Sequence, residues 1–254
     1  KGKGSAAKAG KAKSKKDLAY TIAMVVFAAI FLVSGGLLVK RFFDDKKTEN
    51  EFSDLQSMID VAATPAPAED SEPSNAAKFA ARKDQNSDFM GWISIEGTSL
   101  DFPVMYAPNN KDYYLKHDFK HQYSDYGVPY LDEKTTIGAN AQSNNLIVYG
   151  HNMKTGAMFG SLRNYENLTY YRNNPFITFD TAYEDGRYVI FAVSTVSLDR
   201  LDDRYVDFAK LNADWIDQRS EALDALMSCS LYRTALDVTP QDQLLLLITC
   251  VDDE

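Results

Sequence analysis

The chain has 254 residues, 45% of them hydrophobic, and a formal net charge of −9, which leaves room for one core of ordinary size plus appendages. Seven of its 27 basic residues fall within the first sixteen positions, where there is no acid, while the rest of the chain carries all 36 acidic residues. A basic tail that leads straight into an apolar segment and then an acidic body argues against a nucleic-acid partner.

In chain order, residues 1–16 read as a basic cytoplasmic tail and 17–40 as a transmembrane anchor. Leu18–Val39 is 22 residues without a charge, and as a helix it spans roughly 33 Å, enough for a bilayer core. A cleaved signal peptide is the competing reading. It calls for a shorter apolar core followed by a small-x-small site, and Val33-Ser-Gly-Gly is a poor one. Lysines before the anchor and few basic residues just after it predict a cytoplasmic N-terminus, with everything downstream outside the cell. Residues 41–75 follow as a juxtamembrane helix (Phe42 to Val61, apolar at helical spacing) and a linker rich in Pro, Ala, Glu and Ser, with Pro65, Pro67 and Pro73. The folded domain is expected at 76–254, opening on a short helix over Ala76–Asn86.

From Gly91 the pattern changes to short runs rich in Val, Ile, Tyr and Phe. They are Trp92–Glu96, Leu100–Met105, Val128–Leu131, Leu146–Tyr149, Phe176–Asp180, Tyr188–Val196 and Leu244–Val251. Turn sequences such as Glu96-Gly-Thr and Glu184-Asp-Gly separate them. Such a series predicts a mainly β fold, a closed or nearly closed barrel rather than βαβ units. One long insertion lies between Val196 and Leu244, with an amphipathic helix over Ala213–Met227.

Two strand ends carry the chemistry. Leu244-Leu-Leu-Leu-Ile-Thr-Cys250 brings a thiol to the end of one apolar strand, and Leu146-Ile-Val-Tyr-Gly-His151 brings an imidazole to the end of another. A thiol needs a nearby base or cation to become a good nucleophile, and two ends in one sheet supply that pairing. The two cysteines also allow one disulfide. A free Cys250 and a structural Cys229 is the favoured reading, because only Cys250 has a matching histidine strand. His117 and His121 lie four apart, but no third ligand has metal spacing, so both read as surface residues.

The blocks Asn86-Ser-Asp-Phe-Met-Gly-Trp92, Phe102-Pro-Val-Met, Tyr113-Tyr-Leu-Lys-His-Asp-Phe119, Tyr149-Gly-His-Asn-Met153, Gly156-Ala-Met-Phe-Gly160 and Leu247-Ile-Thr-Cys250 occur in this order. They resemble those of class B sortases over about residues 76–254. The resemblance implies an eight-stranded sortase barrel with added N-terminal helices and a helix in the long loop before the cysteine strand. It implies a membrane-anchored cysteine transpeptidase outside the cell of a Gram-positive bacterium, which cleaves a C-terminal sorting motif of a secreted protein after its threonine. Cys250 would form a thioacyl enzyme, and His151 would protonate the leaving amine and then deprotonate the incoming one. The acceptor would be an amine of peptidoglycan precursor or, alternatively, a pilin lysine. No metal and no cofactor is implied. Tyr149, Thr249, Leu115, Ser194 and Thr195 are the candidate substrate-binding residues, each weighed against plain strand packing. The resemblance also implies a catalytic arginine about ten residues beyond the cysteine, and Val251-Asp-Asp-Glu holds none. A chain truncated before that residue, with its final strand, is the expectation; a sortase-like domain that binds peptides without turning them over is the alternative. Arg200, Arg204 and Arg233 lie in the long insertion and read as solvated charges.

Overall fold

Nothing in Leu18–Val39 except the Gly35-Gly36 pair disfavours a helix, and a computed structural model, describing residues 15–63 and 75–250, has one helix α1 (Lys15–Ala63) there. It runs unbroken through both the expected anchor and the expected juxtamembrane segment. Along its apolar part Phe27, Phe31 and Leu38 stand 69–77% exposed. The helix is long and apolar enough to cross a membrane. The tail at 1–14, the linker stretch 64–74 with its three prolines, and residues 251–254 lie outside the described residues.

The chain divides into two units, Lys1–Glu51 and Phe52–Glu254. In the second, helix α2 (Asn75–Gln85) turns Phe79 and Arg82 inward. The fully buried Arg82 guanidinium lies 5.4–6.0 Å from the ring centres of Phe79, Phe89 and Trp92. It donates to the carbonyls of Lys78 and Leu55, so a buried charge meets both acceptors and aromatic faces.

Among the described residues nine strands follow: β1 (Phe89–Ser94), β2 (Asp101–Met105), β3 (Tyr130–Leu131), β4 (Ile137–Gly138), β5 (Ala141–Gln142), β6 (Asn145–Tyr149), β7 (Phe176–Thr181), β8 (Arg187–Val189) and β9 (Leu244–Ile248). β4 and β5 form a small separate hairpin. The other seven make a near-closed mixed barrel in the order β8-β7-β1-β2-β3-β6-β9. Pairs are antiparallel except β2–β3 and β6–β9. This is the expected sortase-type barrel with seven strands rather than eight among the described residues, and β9 stands at one edge. β1 is buried on both faces, whereas β7 alternates buried with exposed, the period of a strand with one wet face. Helices α3 (Leu168–Asn173) and α4 (Ile216–Ser228) complete the domain. α4 packs Leu223 and Leu226 in one cluster with Ile147, Leu244 and Leu246, and so backs the β6–β9 pair.

The expected long strand Tyr188–Val196 is corrected: only Arg187–Val189 joins the ladder. One more bond continues the β7–β8 register, and then the backbone bonds turn elsewhere. The Ile190 N–H donates to Pro175, the Val193 N–H to the Ser230 hydroxyl, and the Val193 carbonyl accepts from Leu231. Apolar, β-branched composition made the run look like strand, but the loop after α4 supplied its partners. The insertion helix begins at Ile216 rather than Ala213, because a 3₁₀ turn (Phe208–Asn212) precedes it.

The barrel also buries phenols. Burial raises the pKa of Tyr114, Tyr130, Tyr149 and Tyr165, and pushes Tyr188 up to about 12. An unfolded chain releases these protons near pH 10 while the folded chain holds them. Their contribution to stability is therefore whole below about pH 10 and is lost as pH rises toward and past 12. The melting temperature is expected to fall steeply across that window, with tyrosinate absorbance appearing together with unfolding. Tyrosinate absorbance appearing in full before unfolding would contradict it.

Candidate active site

β6 and β9 run parallel and in register, Asn145 against Leu244 through Tyr149 against Ile248. His151 and Cys250 each lie two residues past the last ladder pair, at the same end of two strands that lie only about 4.8 Å apart. Contacts continue past the ladder. The Gly150 N–H donates to the Ile248 carbonyl at 3.1 Å, and the Thr249 hydroxyl donates to the Gly150 carbonyl at 2.7 Å. A side chain at 150 would put its Cβ 2.7 Å from the Phe159 ring, so only glycine lets that buried ring lie against the turn.

Cys250 is exposed and its thiol is free; Cys229 is also free and sits half-buried at the end of α4. The His151 ring is half-buried and meets the Leu115 carbonyl through Nε2 at 2.8 Å. A carbonyl only accepts, so Nε2 carries the hydrogen and Nδ1 is the nitrogen left to take or give a proton. Leu115 therefore reaches the site through its backbone, from a 3₁₀ turn (Tyr113–Leu115).

Of the other wall of the groove, sequence reasoning singled out only Tyr149. Tyr130 and Tyr149 pack with ring centres 5.6 Å apart. Tyr130 donates to Asp112 Oδ1 at 3.0 Å and Tyr149 to Asp132 Oδ2 at 3.2 Å. Burial first, then the carboxylates, holds both phenols neutral well above their ordinary range, and Cys250 is among the groups close enough to add to the effect on Tyr130. Both rings therefore present fixed donors committed to acids. Tyr130, Asp112 and Asp132 carry no spacing that distinguishes them from any strand or loop residue.

One groove is lined by Leu115, Tyr149, His151, Thr249 and Cys250, and also by Ser194 and Thr195. Ser194 spends its hydroxyl on the Leu226 carbonyl of α4 at 3.1 Å, while Thr195 is exposed on the groove wall. His117 and His121 stand apart from this constellation. His117 stacks face to face on Tyr113, with ring centres 3.9 Å apart, and bonds through Nδ1 to the Tyr113 carbonyl at 2.8 Å.

A free thiol and an imidazole of fixed tautomer lining one open groove, at the ends of two paired strands of a mixed barrel, are the equipment of a thiol acyl-transfer enzyme. Comparison with known proteins agrees. The sortase-domain family model matches residues 93–254. Sortase B of Staphylococcus aureus is 25% identical over 91% of this chain and 89% of its own length. Sortase B of Listeria monocytogenes is 26% identical over 94% of this chain and 92% of its own. The S. aureus sortase B–substrate complex has the same fold, with a TM-score of 0.71 at 24% identity over 83% of this chain and 91% of that one. The chain belongs to the sortase family and, within it, to class B, the cysteine transpeptidases of the cell wall.

Proposed function

We propose that Cys250 is the nucleophile and His151 the proton-transfer residue of a transpeptidase that acts on secreted proteins bearing a C-terminal sorting motif. Cys250 Sγ attacks the carbonyl carbon of the motif's threonine. The C–N bond breaks, His151 gives a proton to the departing amine, and a thioester to Cys250 remains. An incoming amine of peptidoglycan precursor then attacks the thioester, loses its proton to His151 and releases the thiolate. Leu115, Tyr149, Thr249, Ser194 and Thr195 are the proposed contacts along the peptide's path. The apolar helix anchors the protein with its N-terminus in the cytoplasm and the barrel outside, where both clients and acceptor are found.

The observation that supports this reading is the parallel β6–β9 register, whose ends run on to His151 and Cys250 two residues past the last pair. Mass spectrometry of the full-length protein mixed with a sorting-motif peptide tests it. The expected result is an acyl adduct on Cys250 alone, discharged onto a small peptidoglycan-type amine. An adduct on Cys229, or peptide cleavage with no adduct, would sink the proposal. Discharge onto a pilin lysine in preference to the wall amine would reassign the acceptor.

A further inference from the structure

The β9 ladder ends at Ile248, so ladder pairing does not hold the backbone of Cys250. Its carbonyl is held by a side chain: Asn152 Nδ2 donates to it at 2.8 Å. Asn152 is the residue after His151, so the turn that carries the imidazole also grips the residue that carries the thiol. An asparagine amide has an accepting end and a donating end of nearly equal shape, and which end faces the cysteine must be decided by something else. Arg163, in a 3₁₀ turn (Phe159–Glu166), decides it. Its Nη2 donates to Asn152 Oδ1 at 2.5 Å, while its Nε donates to the Gly160 carbonyl at 3.1 Å and fixes the guanidinium to its own turn. Arginine only donates, so Asn152 must turn its oxygen toward Arg163 and its NH₂ toward Cys250.

We infer that Asn152 is a positioning residue for the transpeptidase reaction, aiming the Cys250 thiol by holding its carbonyl, and that Arg163 acts through Asn152 by fixing the amide's orientation. The inference rests on the assignment of Cys250 and His151 made above. Fixing the carbonyl of a residue restricts its ψ, and with it the direction of its Cα–Cβ bond relative to the neighbouring imidazole. Misplacement of a reacting atom by about 1 Å can cost about 100-fold in rate, so a hydrogen bond two residues past the last ladder pair matters for kcat more than for folding. The Asn152–Met158 bridge holds the other side of the same turn, with Met158 fully buried at φ 52°. That gives the asparagine backbone a rigid base.

Two measurements on the full-length protein test this. In the first, Asn152→Ala is expected to lower kcat for a sorting peptide about 10- to 100-fold with KM within about twofold, and Arg163→Ala to lower it about 3- to 10-fold. The double variant is expected to be no slower than Asn152→Ala, because Arg163 has nothing left to act through. Independent, multiplying losses would overturn the chain of action, as would an Asn152→Ala variant with unchanged kcat. In the second, selective carbonyl labelling of cysteine gives two carbon-13 signals, since the chain has 2 cysteines, and Cys229 serves as the internal reference. The Cys250 signal is expected to move upfield in Asn152→Ala, and less so in Arg163→Ala, while Cys229 stays. An unmoved Cys250 signal in both would refute the inference even in a protein that turns over no peptide. In that case the functional assignment and the positioning role fail separately. Arg163 is exposed, so its variant keeps the test alive if Asn152→Ala does not fold.

Discussion

Cys250→Ala is expected to abolish cleavage of a sorting peptide, a loss of at least about 10⁴-fold, and His151→Ala to cost nearly as much. In the proposed mechanism the Cys250 thiol forms the covalent bond to the threonine carbonyl, and without it the reaction loses its two-step path. The proposed mechanism uses the imidazole at both steps, first as acid and then as base, through Nδ1, because Nε2–H is committed to Leu115. Residues that act as one unit do not contribute independently. The double variant should therefore be scarcely slower than Cys250→Ala alone. Cys229→Ala gives the contrast: its sulfur lies beside Ser228 and the Arg204 carbonyl at the end of α4, and activity should stay within about twofold. Peptide turnover, measured with melting temperatures to show each variant is folded, decides it. Cleavage at normal rate by either Cys250→Ala or His151→Ala would remove the mechanism, whatever the family.

Much of this site could be read before any coordinates, for a physical reason. Buried strands announce themselves by apolar runs, and Cys250 and His151, just past the ends of two such runs, line the open groove. The blocks that resemble class B sortases add order along the chain. Parallel pairing of β6 with β9 was not legible, because nothing in either run encodes its neighbour; the register comes from the barrel. Nor was the end of β8 legible. Phe191–Val196 has strand composition but finds partners in the loop after α4 (Ser230, Leu231 and Thr234), and composition reports burial better than it reports bonding. The wall made by Tyr130, Tyr149, Asp112 and Asp132 was half-seen: Tyr149 stood out because it precedes His151 by two. Its partner ring and both carboxylates come from elements distant in sequence. Leu115 was a candidate as part of the Tyr-Tyr-Leu block, and it is its carbonyl that meets the histidine. Asn152 was on the page as part of the Tyr-Gly-His-Asn-Met block, but its amide's two partners are 98 and 11 residues away, and Arg163 carries no local signal at all.

Gly127→Ala is expected to be the most damaging single-methyl change in the domain, and it should damage stability and activity together. Gly127 has φ +59°, a left-handed conformation that costs a residue with a Cβ about 1–2 kcal/mol. The added carbon would also fall 2.3 Å from the Tyr114 carbonyl oxygen and 2.7 Å from that of Leu115. Neither oxygen can move away cheaply. The Tyr114 carbonyl accepts from the Val128 N–H, and the fully buried Tyr114 ring ends in a hydroxyl bonded to Asn86 and Asp88. The combined loss is expected to reach about 3–4 kcal/mol in urea denaturation. Because the Leu115 carbonyl also holds His151 Nε2, whatever shift relieves the clash must disturb the imidazole. The kcat of the fraction still folded should drop about 10-fold or more. Gly97→Ala separates the two causes. Gly97 has φ +78°, but its nearest neighbour is the tip of the Asn174 side chain at 3.1 Å, which can swing aside, and it lies among no groove residues. It should lose only about the 1–2 kcal/mol of backbone strain and keep its kcat. If Gly127→Ala proved as mild as Gly97→Ala on both counts, the Tyr113–Leu115 turn would be soft, and its carbonyl could not be what fixes the histidine's tautomer.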